Sequence, residues 1–196
     1  MTRPTLVLAS KSPRRTDLLR SLLDESAPEV GFEVVPADVD ETPMPGEAPR
    51  DMVVRLALAK ARFVAAQLGG DAMVIGADTT VDVDGESLGQ PDDATAARAT
   101  LRRLSGRTHL VHTGIAVVHG GAETSAVDSA KVTFVPLTDE LVDWYVATGE
   151  PMDKAGGYGV QGHGAVLVER VEGSVSTVVG LPLRLLADRM ALLGWK

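Results

Sequence analysis

Residues 6–19 read LVLASKSPRRTDLL. The run Leu6-Val7-Leu8-Ala9 has the length and apolar character of a short buried strand. Ser12 stands where an N-cap belongs and Pro13 occupies the first helical position, so a helix is expected from there to about Leu23. Further strand and helix signals follow. Residues 32–36 suit a strand, and residues 36–49 an acidic loop with four prolines. Residues 51–68 predict a long helix stopped by Gly69-Gly70. Residues 73–77 form an apolar strand ending at Asp78, and Val81-Asp82-Val83 before Asp84-Gly85 signals a hairpin. Residues 93–104 look helical, and residues 108–118 and 126–135 are strands around Gly120-Gly121. Thr138 is placed to cap a helix reaching about Thr148. A glycine-rich loop spans 156–164, residues 165–168 are a strand, and Pro182 opens the last helix. Hairpins interrupt the crossovers, so the expected class is α/β with a mixed sheet.

Composition narrows the function. The chain has 196 residues, 44% of them apolar, which suits one globular domain or two lobes sharing a core. No apolar run reaches the roughly 18 residues of a membrane span. The first apolar stretch covers only residues 5–9, against about 7–15 for an export signal. Cysteine is absent, which excludes disulfides and thiolate chemistry. A net charge of −8 argues against a general nucleic-acid binder, and 4% aromatics leave little for a base-stacking groove. The charge is unevenly divided. Residues 1–20 carry Arg3, Lys11, Arg14, Arg15 and Arg20 against Asp17, a local +4, while residues 24–51 hold nine acids against Arg50. That division suits a local anion seat, or solvated side chains without a partner.

Four constellations could carry chemistry. Arg14 and Arg15 fall in a helix first turn, where each cation is disfavoured by about 0.3–1 kcal/mol. An anion between them would reverse that, since a helix N-terminus and the guanidinium fork both suit phosphate; pairing with Asp17 or distant acids is the alternative. Lys60 shares its side of the long helix with Val53, Leu56, Ala57 and Val64, away from Arg55 and Arg62. It should enter a polar cleft or snorkel to solvent, with Gln67 marking a possible second wet stripe. Gly76-Ala-Asp78-Thr79-Thr80 follows an apolar strand, where a carboxylate serves as base or metal ligand, or merely caps a turn. Asp38, Asp40 and Glu41 could add oxygen ligands for a hard cation such as Mg²⁺, or stay solvated. Residues 157–162 spell Gly-x-Gly-x-x-Gly, but a helix precedes and a strand follows, which excludes the dinucleotide fingerprint. The loop could still bring the Gln161 amide to a base edge, or be a plain turn. His109 and His112 lie on opposite faces of one strand and make no metal pair.

Together these segments resemble the Maf family of nucleoside triphosphate pyrophosphatases. The resemblance is carried by LASKSPRRTDLL at 8–19, VDE at 39–41, RLALAKA at 55–61, GADTTV at 76–81, LRRLSGRTH at 101–109, ATGEPMDKAGGYGVQG at 147–162 and EGSVSTVVGLPL at 172–183. It runs over nearly the whole chain. SPRR, ADT and YG-x-QG look like the branch acting on dTTP and UTP rather than the 7-methyl-GTP branch. The resemblance implies a single domain over 1–196, similar to inosine triphosphatases, with a mixed, strongly bent sheet flanked by helices and two lobes around a nucleotide cleft. It implies a cytoplasmic homodimer that converts a nucleoside triphosphate to monophosphate and pyrophosphate with a divalent metal, Mg²⁺ or Mn²⁺. It implies Asp78 as general base, Arg14, Thr79 and Gln161 as base-specificity residues, Ser10, Arg15 and Lys60 on the phosphates, and Glu41 on the metal. The family is also associated with blocking septation, so a nucleotide-sensing regulator is the alternative. One position departs: the family's L-G-K-P stretch is Leu88-Gly89-Gln90-Pro91 here. Gln90 can bond a phosphate without neutralising it, which implies either slower turnover or the use of Lys154 or Arg107 for that charge.

Overall fold

The computed structural model describes residues 4–69 and 71–195. Strand β1 (Thr5–Ala9) leads through Ser10–Ser12 into helix α1 (Pro13–Ser26), which returns as β2 (Phe32–Val34). After the proline-rich acidic loop come α2 (Pro49–Leu68), β3 (Ala72–Val83), β4 (Glu86–Leu88) and α3 (Ala94–Leu104). The long hairpin β5 (Thr108–His119) and β6 (Ala122–Phe134) precedes α4 (Asp139–Ala147). Three short 3₁₀ turns then lead to β7 (Val168–Glu172), α5 (Val175–Val179) and α6 (Leu183–Leu192). The seven strands form one mixed sheet in the order β2-β1-β3-β5-β6-β7, with β4 beside β3. Only β1 pairs in parallel, with β2 and β3, through the two helical crossovers.

Strand alternation divides the apolar residues between two faces. Leu6, Leu8, Met73 and Ile75 pack on Leu19, Leu23, Leu186 and Met190 of α1 and α6. Val7, Ala9 and Val74 meet Ala57, Ala61 and Val64 of α2. At the far end of the sheet, Leu101, Leu104, Val142 and Tyr145 of α3 and α4 close a further core over Val81, Val111 and Phe134. Among the described residues, no helix is long and apolar enough to cross a membrane.

The structure corrects three expectations. The strand expected at 73–77 and the hairpin segment at 81–83 are one continuous strand, so Asp78 lies inside β3 rather than after it. The strand expected at 165–168 is instead a 3₁₀ turn over Gly162–Leu167, and the strand begins at Val168. The backbone N–H groups of His163 and Gly164 donate to the Glu150 carboxylate, which draws them out of any ladder. Strand β6 starts at Ala122 rather than 126, since pairing with β5 runs right up to Gly120-Gly121.

Two glycines set how closely α2 approaches the sheet. A Cβ on Gly76 would lie 2.8 Å from Ala61 N and closer still to the Ala57 carbonyl oxygen. One on Gly114 would overlap Val53 and lie 2.7 Å from Val54 N. Since the obstacles are backbone atoms, Gly76→Ala should destabilise by about 3 kcal/mol or more, at the upper end of overpacking effects. Gly31→Ala, with nothing within 4 Å of its Cβ, should stay within about 0.5 kcal/mol. Urea unfolding of the two variants checks both values.

Candidate active site

Among the described residues, one edge of β3 is paired with β1 as far as Gly76 and with β4 from Val81, leaving Ala77–Thr80 without a neighbour. The other edge is paired with β5 from Val74 to Asp82, across the whole gap. Arg15 fills part of the gap. Its Nη1 donates to Ala77 O (2.9 Å) and Ser10 Oγ (3.2 Å), its Nε to Gly180 O (2.8 Å) and its Nη2 to Thr79 Oγ1 (3.0 Å). Thr79 Oγ1 also shares a hydrogen bond with Thr113 (2.9 Å), on the face of β3 opposite Asp78. The Arg15 fork and the Thr79 hydroxyl are thus engaged within the protein.

Asp78 lies on the α2 face of the gap. Because Gly76 lets α2 come close, Lys60 one turn after Ala57 reaches it: Lys60 Nζ is 2.6 Å from Asp78 Oδ1, and both side chains are only 10% exposed. The ammonium is also 2.8 Å from Glu41 Oε1, whose side chain is 59% exposed on the acidic loop. The polar-cleft reading of Lys60 holds, with carboxylates as its partners. Burial raises the Asp78 carboxyl above its ordinary pKa; Lys60 and Arg15 pull it down, and the Glu41 charge adds to the rise. Among the other acids of the loop, Asp40 accepts the Thr42 N–H, while Asp38 borders the cavity.

These groups border a cavity of about 770 Å³. One wall is the start of α1, where Ser12 makes no side-chain cap and no acid stands in the first turn, so no side chain there offsets the positive end of the helix. Arg14 stands in that turn but binds Asp153, through Nη1 to Oδ2 (2.6 Å) and Nη2 to the backbone oxygen (3.0 Å). Asp153 also takes Lys154 Nζ at 2.6 Å, and its backbone oxygen takes Gln90 Nε2 at 3.2 Å. Partial burial pushes the Asp153 carboxyl up, but Lys154 and Arg14 hold it below its ordinary range. Lys154 therefore borders the cavity next to Gln90, whereas Arg107 is outside it and paired with Asp84. Tyr158–Gln161 also line the cavity. The Gln161 side chain makes no hydrogen bond among the described residues, which leaves its amide free for a ligand.

The motifs that line this cavity are those of a known family, and the family description "Maf-like protein" matches residues 5–193. The chain belongs to the Maf family. It is 50% identical over 194 residues to a dTTP/UTP pyrophosphatase of Anaeromyxobacter dehalogenans, covering 97% of this chain and 93% of that one. A dTTP/UTP pyrophosphatase of Myxococcus xanthus is 52% identical, covering 91% and 87%. One of Symbiobacterium thermophilum is 47% identical, covering 97% and 94%. A solved structure described as a nucleoside-triphosphatase / dITP/XTP pyrophosphatase from Mycobacterium abscessus aligns over 96% of both chains, at 18% identity and a TM-score of 0.47.

Within this Maf chain the sequence reading overlooked the groups behind the loop at 158–164. Tyr158 is buried, and its hydroxyl shares a 2.7 Å hydrogen bond with His109 Nε2. Phe134, His109 and Tyr158 meet edge to face. The only sequence signal was an apolar strand that carries a histidine on its inward face. His109 Nδ1 has no partner among the described residues. Burial, with a smaller push from Arg107, lowers the His109 pKa to about 4. Between that value and the unfolded value of about 6.5 the unfolded chain binds the extra proton. Stability should therefore fall as pH drops from about 6.5 to about 4, by at most about 3 kcal/mol. Urea unfolding across this range should show that slope in the wild type and a shallower one in His109→Phe.

Proposed function

We propose that this Maf protein hydrolyses pyrimidine nucleoside triphosphates, dTTP and UTP among them, to the nucleoside monophosphate and pyrophosphate. The observation that carries the reading is the Asp78 carboxylate, buried beside Lys60 in the gap of the sheet and open to a cavity of ligand size. A water oxygen bonds to the α-phosphorus while Asp78 accepts its proton, and pyrophosphate leaves with the electron pair of the broken P–O bond. Such transfers rest mostly on positioning and charge neutralisation. Lys60 and the α1 N–H groups face the phosphates; Ser10 and Arg15 fix the loop that presents them. Gln161 and Arg14 read the base, and Thr79 acts by holding Arg15 in place. The activity named for relatives at about half identity supports the substrate class.

A divalent cation such as Mg²⁺ or Mn²⁺ would supply further neutralisation of phosphate charge. Mg²⁺ takes one or two protein carboxylates together with substrate phosphates. The described residues hold no cluster of three or more metal-binding side chains, but Glu41 reaches into the site beside Asp78, which fits that mode. Glu41 is the proposed ligand. The same reading takes the protein as a cytoplasmic homodimer.

Three expectations test this. Asp78→Asn should lower kcat on dTTP by ~10²–10⁴, the usual contribution of a general base, in a pyrophosphate-release assay. Tight nucleotide binding with no release above the Asp78→Asn background would replace hydrolysis by nucleotide sensing. Because Asp78 must be ionised to act and its pKa is raised, kcat/KM should climb with pH through a value above the ordinary carboxylate range. An acid limb at about 3.9 would take the base role from it. Gln90→Lys should raise turnover on dTTP or UTP, and an unchanged or lower rate would end the idea that a missing charge at 90 slows the enzyme.

A further inference from the structure

Gly157, Gly159 and Gly162 have the spacing of a phosphate-binding loop, yet Gly159 and Gly162 crowd a carboxylate of the protein itself. Glu150, in the 3₁₀ turn after α4, has a side chain only 14% exposed and stands outside the cavity wall. Its Oε1 accepts the Tyr145 hydroxyl (3.1 Å) and the Gly164 N–H (3.1 Å). Its Oε2 accepts the His163 N–H (2.9 Å) and meets His163 Nδ1 (3.0 Å). The Tyr145 oxygen in turn accepts the Gly159 N–H (3.1 Å). The segment 159–164 is thus tied at both ends to one carboxylate, with Val160 and Gln161 in the span between and on the cavity wall.

The glycines follow from that wrapping. A Cβ on Gly162 would lie 2.9 Å from Glu150 Oε2, where φ is already +74°. One on Gly164 would lie 2.8 Å from Tyr145 Oη and closer to Gly159 O, and one on Gly159 would lie 2.9 Å from Lys154 Cε. Side chains at these positions would push the loop off its anchor. Burial pushes the Glu150 carboxyl up, but the two N–H groups and its side-chain partners hold it below the ordinary range, so it stays ionised and accepting.

We propose that Glu150 is a positioning residue for base recognition: it never touches substrate, and it fixes the loop so that the Gln161 amide meets the base at a set distance from Asp78. This rests on the hydrolase reading only in taking Gln161 as the base-reading group. A role confined to general stability would weaken all ligands alike. A role in placing Gln161 would weaken only ligands that carry a base.

The test is calorimetric titration of the non-hydrolysable α,β-imido analogue of dTTP and of inorganic tripolyphosphate into wild type, Glu150→Gln and Tyr145→Phe, with melting temperatures recorded. Glu150→Gln replaces one acceptor oxygen by an NH₂ group and strands a backbone N–H. It should weaken the analogue at least tenfold and leave tripolyphosphate within twofold. In turnover, KM for dTTP should rise with it while kcat at saturation stays within threefold. Tyr145→Phe, which removes only the bridge to Gly159, should act in the same direction more weakly, and it decides the question if Glu150→Gln does not fold. Equal losses for the two ligands, unchanged analogue affinity in Tyr145→Phe and Glu150→Gln, or a fall in kcat at constant KM would overturn the proposal. A wild type that binds the analogue but releases no pyrophosphate from dTTP would remove the hydrolytic reading alone, with the binding comparison still deciding Glu150.

Discussion

The missing strand beside Ala77–Thr80 is the constraint around which the molecule is arranged. A sheet with an internal gap leaves backbone polar groups without a ladder, and each such buried group is costly unless another partner is found. Arg15 is that partner for Ala77, and it reaches the gap because only three residues separate β1 from Pro13 at the start of α1. The same guanidinium ties in Ser10, Thr79 and Gly180, so the strand-to-helix loop, the central strand and the segment before α6 meet at one side chain. Asp78 is open to the cavity because the neighbouring strand has turned away.

Three carboxylates near the cavity show how environment divides one chemistry into separate roles. Asp78 is pushed up by burial despite its two cations. Glu150 and Asp153 are held down, Glu150 chiefly by backbone N–H groups and Asp153 by Lys154 and Arg14. Only the first is lifted toward the protonated form; the other two are fixed acceptors that hold structure. Asp153 moreover occupies Arg14, so an incoming anion must compete with a neighbour for that guanidinium.

Much of this was legible in the sequence where local rules dominate. Pro13 and Gly69 mark helix ends through backbone chemistry, and the helical period alone places Lys60 beside Ala57 and Leu56. The polar run Asp78-Thr79-Thr80 read as the end of a strand because an uninterrupted ladder would bury those side chains at a loss. The strand passes through them because the gap keeps Asp78 beside a cleft while Arg15 and Thr113 satisfy Thr79. The apolar stretch at 165–168 misled because it continues a 3₁₀ turn whose start, His163 and Gly164, is held by Glu150, and whose Val168 N–H bonds back to Ala165 O. The roles of Glu150, Tyr145 and His109 were invisible because the residues they hold in the loop 158–164 lie 13 or more positions away from them and no periodic pattern announces the pairing.

The wrapping of 159–164 around Glu150 also bears on how this pocket could diversify. Gly159, Gly162 and Gly164 have no room for a side chain, and His163 is anchored through its main chain. Variation that reaches the ligand without dismantling the loop is therefore channelled into Val160 and Gln161. A library of every amino-acid pair at those two sites would sample the whole space open to this stretch, far smaller than its length suggests.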